Sequence, residues 1–198
     1  MDKEKSERIQ KKLNKSSVGI AGLGGLGSNA AVALARAGIG RLILVDFDIV
    51  EKSNLSRQYY FLENIGKTKG KSLKEIIEKI NPQVKLIIHN IKLKKGAMEK
   101  PFKDVDVVIE ALDNAETKTI FIEEILTKLP SKPIVAASGV SGYGHSDRIN
   151  TKCLGNLYMC YDELAKSSDE DVLMAPRVAL MANWEANIAL EIILGEDK

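Results

Sequence analysis

The chain has little that would mark it as secreted, membrane-bound or nucleic-acid-binding. It holds two cysteines in 198 residues, too few for a disulfide framework in a chain this long. No apolar run approaches the roughly 18 residues of a membrane span. The opening segment, residues 1–15, is charged and lacks the apolar centre of a secretory leader, so a cytoplasmic, reducing setting is expected. Aromatic residues make up 5%, which leaves little for a base-stacking surface. The net charge is +2, with 29 basic and 27 acidic residues interspersed. That balance excludes the strong basic field of a nucleic-acid or membrane-surface binder.

What is present is an alternation of apolar runs and helical patterns. It predicts an α/β fold, Rossmann-like and doubly wound on a mostly parallel sheet, in a single domain covering 1–198. Strands are expected at Val18–Ala21, Arg41–Val45, Val84–His89, Asp106–Ala111 and Lys132–Ser138, with a short one possible at Asn156–Tyr161. Helical spacing covers Ser28–Ala37, the Leu73, Ile76, Ile77, Ile80 stripe, and the Ile122, Ile125, Leu126, Leu129 stripe. A last helix opens at Pro176 with Met181, Trp184, Ile188 and Ile192 on its apolar face, and residues 1–15 read as an N-terminal helical segment. Between them, 139–175 reads as a long loop, and loops of that length are usually functional or disordered.

The first strand breaks into Gly22-Leu23-Gly24-Gly25-Leu26-Gly27 and then a helix. Such a turn presents backbone N–H groups and a helix N-terminus to an anion, and its glycines admit a phosphate at close range. Asp46 ends the second strand, where an acidic side chain meets a ribose hydroxyl in such folds. These two features fit NAD as well as ATP.

The choice between them lies in the next residues. The connection Asp46-Phe47-Asp48 continues into Ser53-Asn54-Leu55-Ser56-Arg57-Gln58, which an NAD enzyme has no evident need for. Arg57 offers a planar fork of donors for phosphate oxygens and for charge developing on pyrophosphate. Lys69 opens the following helix and can add a mobile point charge. At the end of the fourth strand stands Leu112-Asp113-Asn114, and a carboxylate at that sheet edge suits Mg2+, which keeps most of its waters.

Taken in order over about residues 16–140, these motifs resemble the ThiF/MoeB/HesA adenylyltransferases, relatives of ubiquitin-activating enzymes. The length and the tail Met174-Ala175-Pro176-Arg177 resemble the short ThiF-like proteins of thiamine biosynthesis. The resemblance implies ATP and Mg2+ as cofactors. It assigns Gly22, Gly24, Gly25 and Gly27 to the phosphates, Asp46 to the ribose, and Asn54, Arg57 and Lys69 to the triphosphate, with Asp48 and Gln58 as further nucleotide-binding residues. Leu112 and Asn114 line the nucleotide and Asp113 takes Mg2+. The implied reaction is adenylation of the C-terminal Gly-Gly carboxylate of a ThiS-like ubiquitin-fold sulfur carrier. A MoaD-like carrier, a small molecule or a tRNA carboxylate would use the same pocket.

The resemblance also implies a homodimer, with Ile9 and Leu13 as a possible contact and Arg8 as a residue reaching across it. Longer members hold a structural zinc with two Cys-x-x-Cys pairs, which Cys153 and Cys160 cannot supply, so zinc is not expected. Cys160 occupies the late segment where related enzymes keep a reactive cysteine, and it is a candidate to receive the activated carrier. Cys153, His89 and His145 receive no role. From other classes, an NAD-binding oxidoreductase or redox sensor explains only the glycine turn and Asp46, and a noncatalytic binding module has no need for the full phosphate and metal set.

Overall fold

In the computed structural model, which describes residues 3–166 and 170–195, seven strands form one sheet in the order β3-β2-β1-β4-β5-β7-β6. The strands are β1 (Ser17–Ala21), β2 (Arg41–Val45), β3 (Lys85–His89), β4 (Val107–Glu110), β5 (Ile134–Ser138), β6 (Asn150–Leu154) and β7 (Leu157–Tyr161). All neighbours pair parallel except β6, which runs antiparallel to β7. The helices are α1 (Lys3–Leu13), α2 (Gly25–Ala37), α3 (Lys69–Ile80), α4 (Ala115–Lys128) and α5 (Ala175–Leu194).

The central strands are apolar over most of their length, with Ser17 and Glu110 the buried polar exceptions in β1 and β4, because both faces are covered. On one face, Val18, Ile20, Leu42, Leu44, Val107 and Ile109 pack with Ala31, Leu34, Leu73, Ile77, Met181 and Ile188 from α2, α3 and α5. On the other, Ile43, Val45, Val108 and Ile134 meet Phe102, Phe121 and Ile125. Gly19 in β1 is required by this second core, since a Cβ there would lie 2.5 Å from the Phe102 ring. Sequence continues outward from β1 in both directions, through β2 on one side and β4 on the other. The crevice at that switch point, outside the C-terminal ends of β1 and β4, is where such sheets bind ligands.

Four expectations change. Residues 139–175 are not one loop: they contain the β6–β7 hairpin, which extends the sheet. The Asn150–Leu154 strand carries no apolar alternation because its residues are all exposed at the sheet edge. Helix α2 begins at Gly25 rather than Ser28, since the later glycines of the turn are already helical. Leu13 is buried at 3% exposure and Ile9 packs on the same core, so this pair is internal rather than a dimer contact. Trp184 lies at the margin of α5, 37% exposed, while Glu185 occupies the middle of its buried stripe. No helix among the described residues is long and apolar enough to cross a membrane.

Candidate functional site

The turn after β1 is shaped by its glycines. Gly22 adopts φ 90°, and a Cβ there would sit 2.5 Å from the Ala111 carbonyl at the end of β4. Gly27 packs so closely on the Gly22 carbonyl that any side chain would collide with it. The strand ends of β1 and β4 are therefore drawn together, and the α2 N-terminus opens directly above the crevice. Side chains missed in the sequence hold this arrangement. Ser28 Oγ donates to the Gly24 carbonyl at 2.6 Å and accepts from the Tyr59 N–H at 2.9 Å. Asn29 Nδ2 donates to the carbonyls of Gly25 (2.7 Å) and Arg57 (3.1 Å). The glycine turn and the segment bearing Arg57 are thus one bonded unit.

Asp46 is 9% exposed. Its Oδ2 accepts from the Leu23 N–H at 2.6 Å and its Oδ1 from the Asp48 N–H at 2.8 Å. Each oxygen retains a second lone pair, so Asp46 can shape the turn and still receive ribose hydroxyls. Lys69, 6% exposed at the start of α3, places Nζ 2.8 Å from Asp48 Oδ2 and 4.0 Å from Asp46 Oδ2. Here it serves as counter-ion to the acid pair, which keeps two carboxylates from repelling an incoming phosphate. Tyr60 donates from its hydroxyl to the Leu23 carbonyl at 2.8 Å. Burial, then the charges of Asp46 and Asp48, hold its phenol well above the ordinary range, so it stays a neutral donor.

Arg57 is half-buried, and its Nη1 reaches only the Ser53 carbonyl and Ser56 Oγ, both at 3.4 Å. No ion pair engages it among the described residues, so its fork is available to phosphate oxygens. Its side chain passes within 3.9 Å of where a Gly25 Cβ would stand. Gln58 lies against Gly24, 3.7 Å from such a position, and its buried Oε1 has no hydrogen-bond partner. Asn54 is engaged locally: its Oδ1 accepts from the Glu51 N–H at 3.0 Å and closes the short 3-10 helix Lys52–Ser56.

Across the crevice, Asn114 caps α4 by accepting from the Thr117 N–H at 2.9 Å. Asp113 is thereby freed from capping, and it is exposed. The Leu112 N–H donates to Glu110 Oε1 at 2.7 Å. Glu110 is fully buried, and Lys118 bonds both its Oε2 and, at 3.2 Å, the Ala137 carbonyl. Burial raises the Glu110 carboxyl, an effect that Lys118 partly offsets. No group of three or more metal-binding side chains occurs among the described residues. An exposed Asp113 with no hydrogen bond of its own among the described residues, beside the glycine turn, has the chemistry to hold Mg2+, which takes few protein ligands and keeps most of its waters.

The remaining catalytic candidate does not join this site. Cys160 is 0% exposed within β7, packed in the core, and burial pushes its thiol far up, with the Glu185 charge adding to the effect. A thiol in those surroundings is a small apolar side chain and not a nucleophile. Cys153 is the exposed cysteine. Arg8 stands on the exposed face of α1, a helix whose last turn lies beside Leu194, where Lys12 Nζ donates to its carbonyl at 2.6 Å. That is the end of α5 away from the glycine turn.

The chain belongs to the ThiF family, whose model matches residues 2–198. It is 32% identical over 193 residues to the adenylyltransferase and sulfurtransferase UBA4 of Kluyveromyces lactis, spanning 94% of this chain and 43% of that protein. It is 37% identical over 132 residues to the adenylyltransferase and sulfurtransferase MOCS3 of Aedes aegypti, spanning 66% of this chain and 30% of that one. The chain therefore spans less than half the length of these curated relatives. Among solved structures, E. coli tRNA N6-threonylcarbamoyladenosine dehydratase TcdA in complex with ATP superimposes with a TM-score of 0.86 at 20% identity, over 95% of this chain and 89% of that one. E. coli MccB with ATP gives 0.72 at 22% identity, over 93% and 57%. At those identities the likeness is one of fold.

Proposed function

We propose that this ThiF-family chain uses ATP and Mg2+ to adenylate the C-terminal Gly-Gly carboxylate of a ThiS-like ubiquitin-fold sulfur carrier, for thiazole sulfur transfer in thiamine synthesis. The observation that carries the reading is that Arg57, without an ion pair among the described residues, is bonded to the glycine turn through Asn29, while the exposed Asp113 ends the β4 side of the same crevice. A nicotinamide site has no use for that pair. An adenylation site needs both.

In the reaction, a carrier carboxylate oxygen attacks the α-phosphorus. The new P–O bond forms as the bond to the α,β-bridging oxygen breaks, and pyrophosphate leaves with that electron pair. The attacking group is already ionised, so no general base is needed. The N–H groups of the glycine turn and the α2 N-terminus orient the phosphates. Asp46 meets the ribose and, with the neutral Tyr60 hydroxyl, fixes the glycine turn. Asp113 would hold Mg2+, which supplies charge to offset the phosphate oxygens. Arg57 meets the charge that develops on pyrophosphate. Function as a homodimer in the cytoplasm is part of the proposal.

The test is carrier-dependent ATP–pyrophosphate exchange with a ThiS-like protein ending in Gly-Gly. Exchange that requires the free terminal carboxylate supports the reading, and Arg57→Ala should lower it by about 10²–10³-fold. No exchange with tight ATP binding discards this carrier in favour of a MoaD-like carrier or another carboxylate. Tight NAD binding without exchange overturns the reading altogether.

A further inference from the structure

Two segments leave the C-terminal ends of β5 and β7, the sheet edge on which the crevice opens: 139–144, and 162–166 with its continuation at 170–174. Val140 packs on the core, but few of their other apolar side chains hold them down. Tyr143 is 76% exposed, Leu164 71%, Val172 57% and Met174 44%. Nor does regular structure, since Gly139, Gly142 and Gly144 all have positive φ and His145 adopts φ 49°. Segments with few buried apolar contacts open readily unless polar contacts tie them.

The main tie is one side chain. Arg177, in the first turn of α5, is 4% exposed. Its Nη2 lies 2.6 Å from Asp162 Oδ2, and Nη2 and Nη1 donate to the carbonyls of Gly139 and Gly144, both at 3.4 Å. Its Nε has no partner. Asp162 in turn accepts from the Leu164 N–H through Oδ1 at 2.9 Å, and the Asp162 carbonyl accepts from the Ala165 N–H at 3.3 Å. Gly139 is pressed against the Asp162 carbonyl, with no room for a Cβ. Lesser links join the same segments: Ser141 Oγ to the Lys166 carbonyl, and the Gly142 N–H to the Val172 carbonyl at 2.8 Å.

The next residue in α5 touches the nucleotide side. Val178 Cγ1 lies 2.8 Å from where a Cβ on Gly25 would be. The same turn of α5 therefore holds the two segments through Arg177 and abuts the glycine turn through Val178.

We propose that Arg177 is a positioning residue for the carboxylate substrate: paired with Asp162, it holds segments 139–144 and 162–166 in register with the glycine turn, so that the carboxylate meets the α-phosphate. The inference rests on the adenylation reading and concerns the carboxylate side of the site, leaving ATP binding to the β1–α2 turn, Asp46 and Lys69. A planar fork that reaches one carboxylate and two carbonyls cannot be replaced by an ammonium.

The test compares Arg177→Lys, Arg177→Met and Asp162→Asn with the wild type in the full chain. Arg177→Lys keeps a charge for Asp162 and should leave the unfolding temperature within about 3 °C. Titration with a nonhydrolysable ATP analogue should give a Kd within about twofold, while kcat/KM for the ThiS-like protein falls about tenfold or more. Hydrogen exchange at the Gly142, Leu164 and Ala165 amides should quicken, with β1 and α2 unchanged. ATP and carrier constants moving together, or neither moving, would overturn the proposal. Should Arg177→Met fail to fold, Arg177→Lys and Asp162→Asn decide the matter. Wild type inactive with this carrier would sink the functional reading alone. The clamp would then stand on quickened exchange with unchanged analogue binding, and fall if the three amides exchange as in wild type.

Discussion

Lys69 Nζ stands 2.8 Å from Asp48 Oδ2, and the lysine side chain is 8% exposed against 44% for the aspartate. The buried partner is the cation, and Asp46 completes the group at 4.0 Å. Lys69→Met would leave two carboxylates facing the phosphates with no counter-ion. Its ATP Kd should rise about 100-fold, or about 2.7 kcal/mol. Asp48→Asn should cost less, since that carboxylate is nearly half exposed and screened by water. Calorimetric titration with ATP checks the order, and equal losses for the two variants would show that Lys69 has no role beyond its bond to Asp48.

Asp113 and Asn114 are adjacent, yet the structure separates what they do. Asn114→Ala removes the α4 cap and should lower stability by about 1 kcal/mol with little loss of turnover. Asp113→Asn removes no bond seen in the fold and should leave the unfolding temperature unchanged while turnover collapses. Thermal unfolding measured beside pyrophosphate exchange separates them. A D113N enzyme with near-normal exchange would remove Asp113 from the metal-binding role.

Cys160 and Cys153 differ in reach. In the native protein, iodoacetamide should label Cys153 and spare Cys160, as read by mass spectrometry. Cys160→Ser buries a hydroxyl with no evident partner and should cost about 1–3 kcal/mol of stability while leaving adenylation intact. Rapid native labelling of Cys160 would restore it as a candidate nucleophile.

Glu185 lies fully buried on α5, and neither carboxylate oxygen has a hydrogen-bond partner. Burial, reinforced by the Glu110 charge and opposed by Lys118, holds its carboxyl well above the ordinary range. The folded state therefore binds this proton more tightly than the unfolded chain does. The stability linked to it is fully present below the unfolded pKa and declines as pH rises toward the folded value. Glu185→Gln should lose that dependence. Its unfolding temperature should exceed that of the wild type increasingly from about pH 5 to about pH 8. Parallel curves for the two proteins would mean that Glu185 is not buried as a neutral acid.

Much of this molecule is legible one residue at a time. Apolar runs covered on both faces announced the parallel strands, and Gly22–Gly27 with Asp46 announced a nucleotide crevice, because those signals depend on local period and backbone conformation. The string from Asn54 to Gln58 points to ATP rather than NAD for the same reason: the chemistry of a guanidinium or carboxylate is carried by the residue itself. Strand β6 escaped because an exposed edge has no apolar period. Glu185 is not legible because its buried stripe is completed by small alanines, while the large apolar Trp184 beside it lies at the margin.

Sequence by itself therefore determined the strand–turn–helix plan, the glycine turn and the charged groups near it. Only the tertiary structure decided which of those groups are engaged. It buried Lys69 against Asp48, released Asp113 from capping, enclosed Cys160 and drew Arg177 onto Asp162. The physical reason is that charge and reactivity depend on solvent and on partners distant in the chain, and both are fixed only when the sheet and α5 close around them.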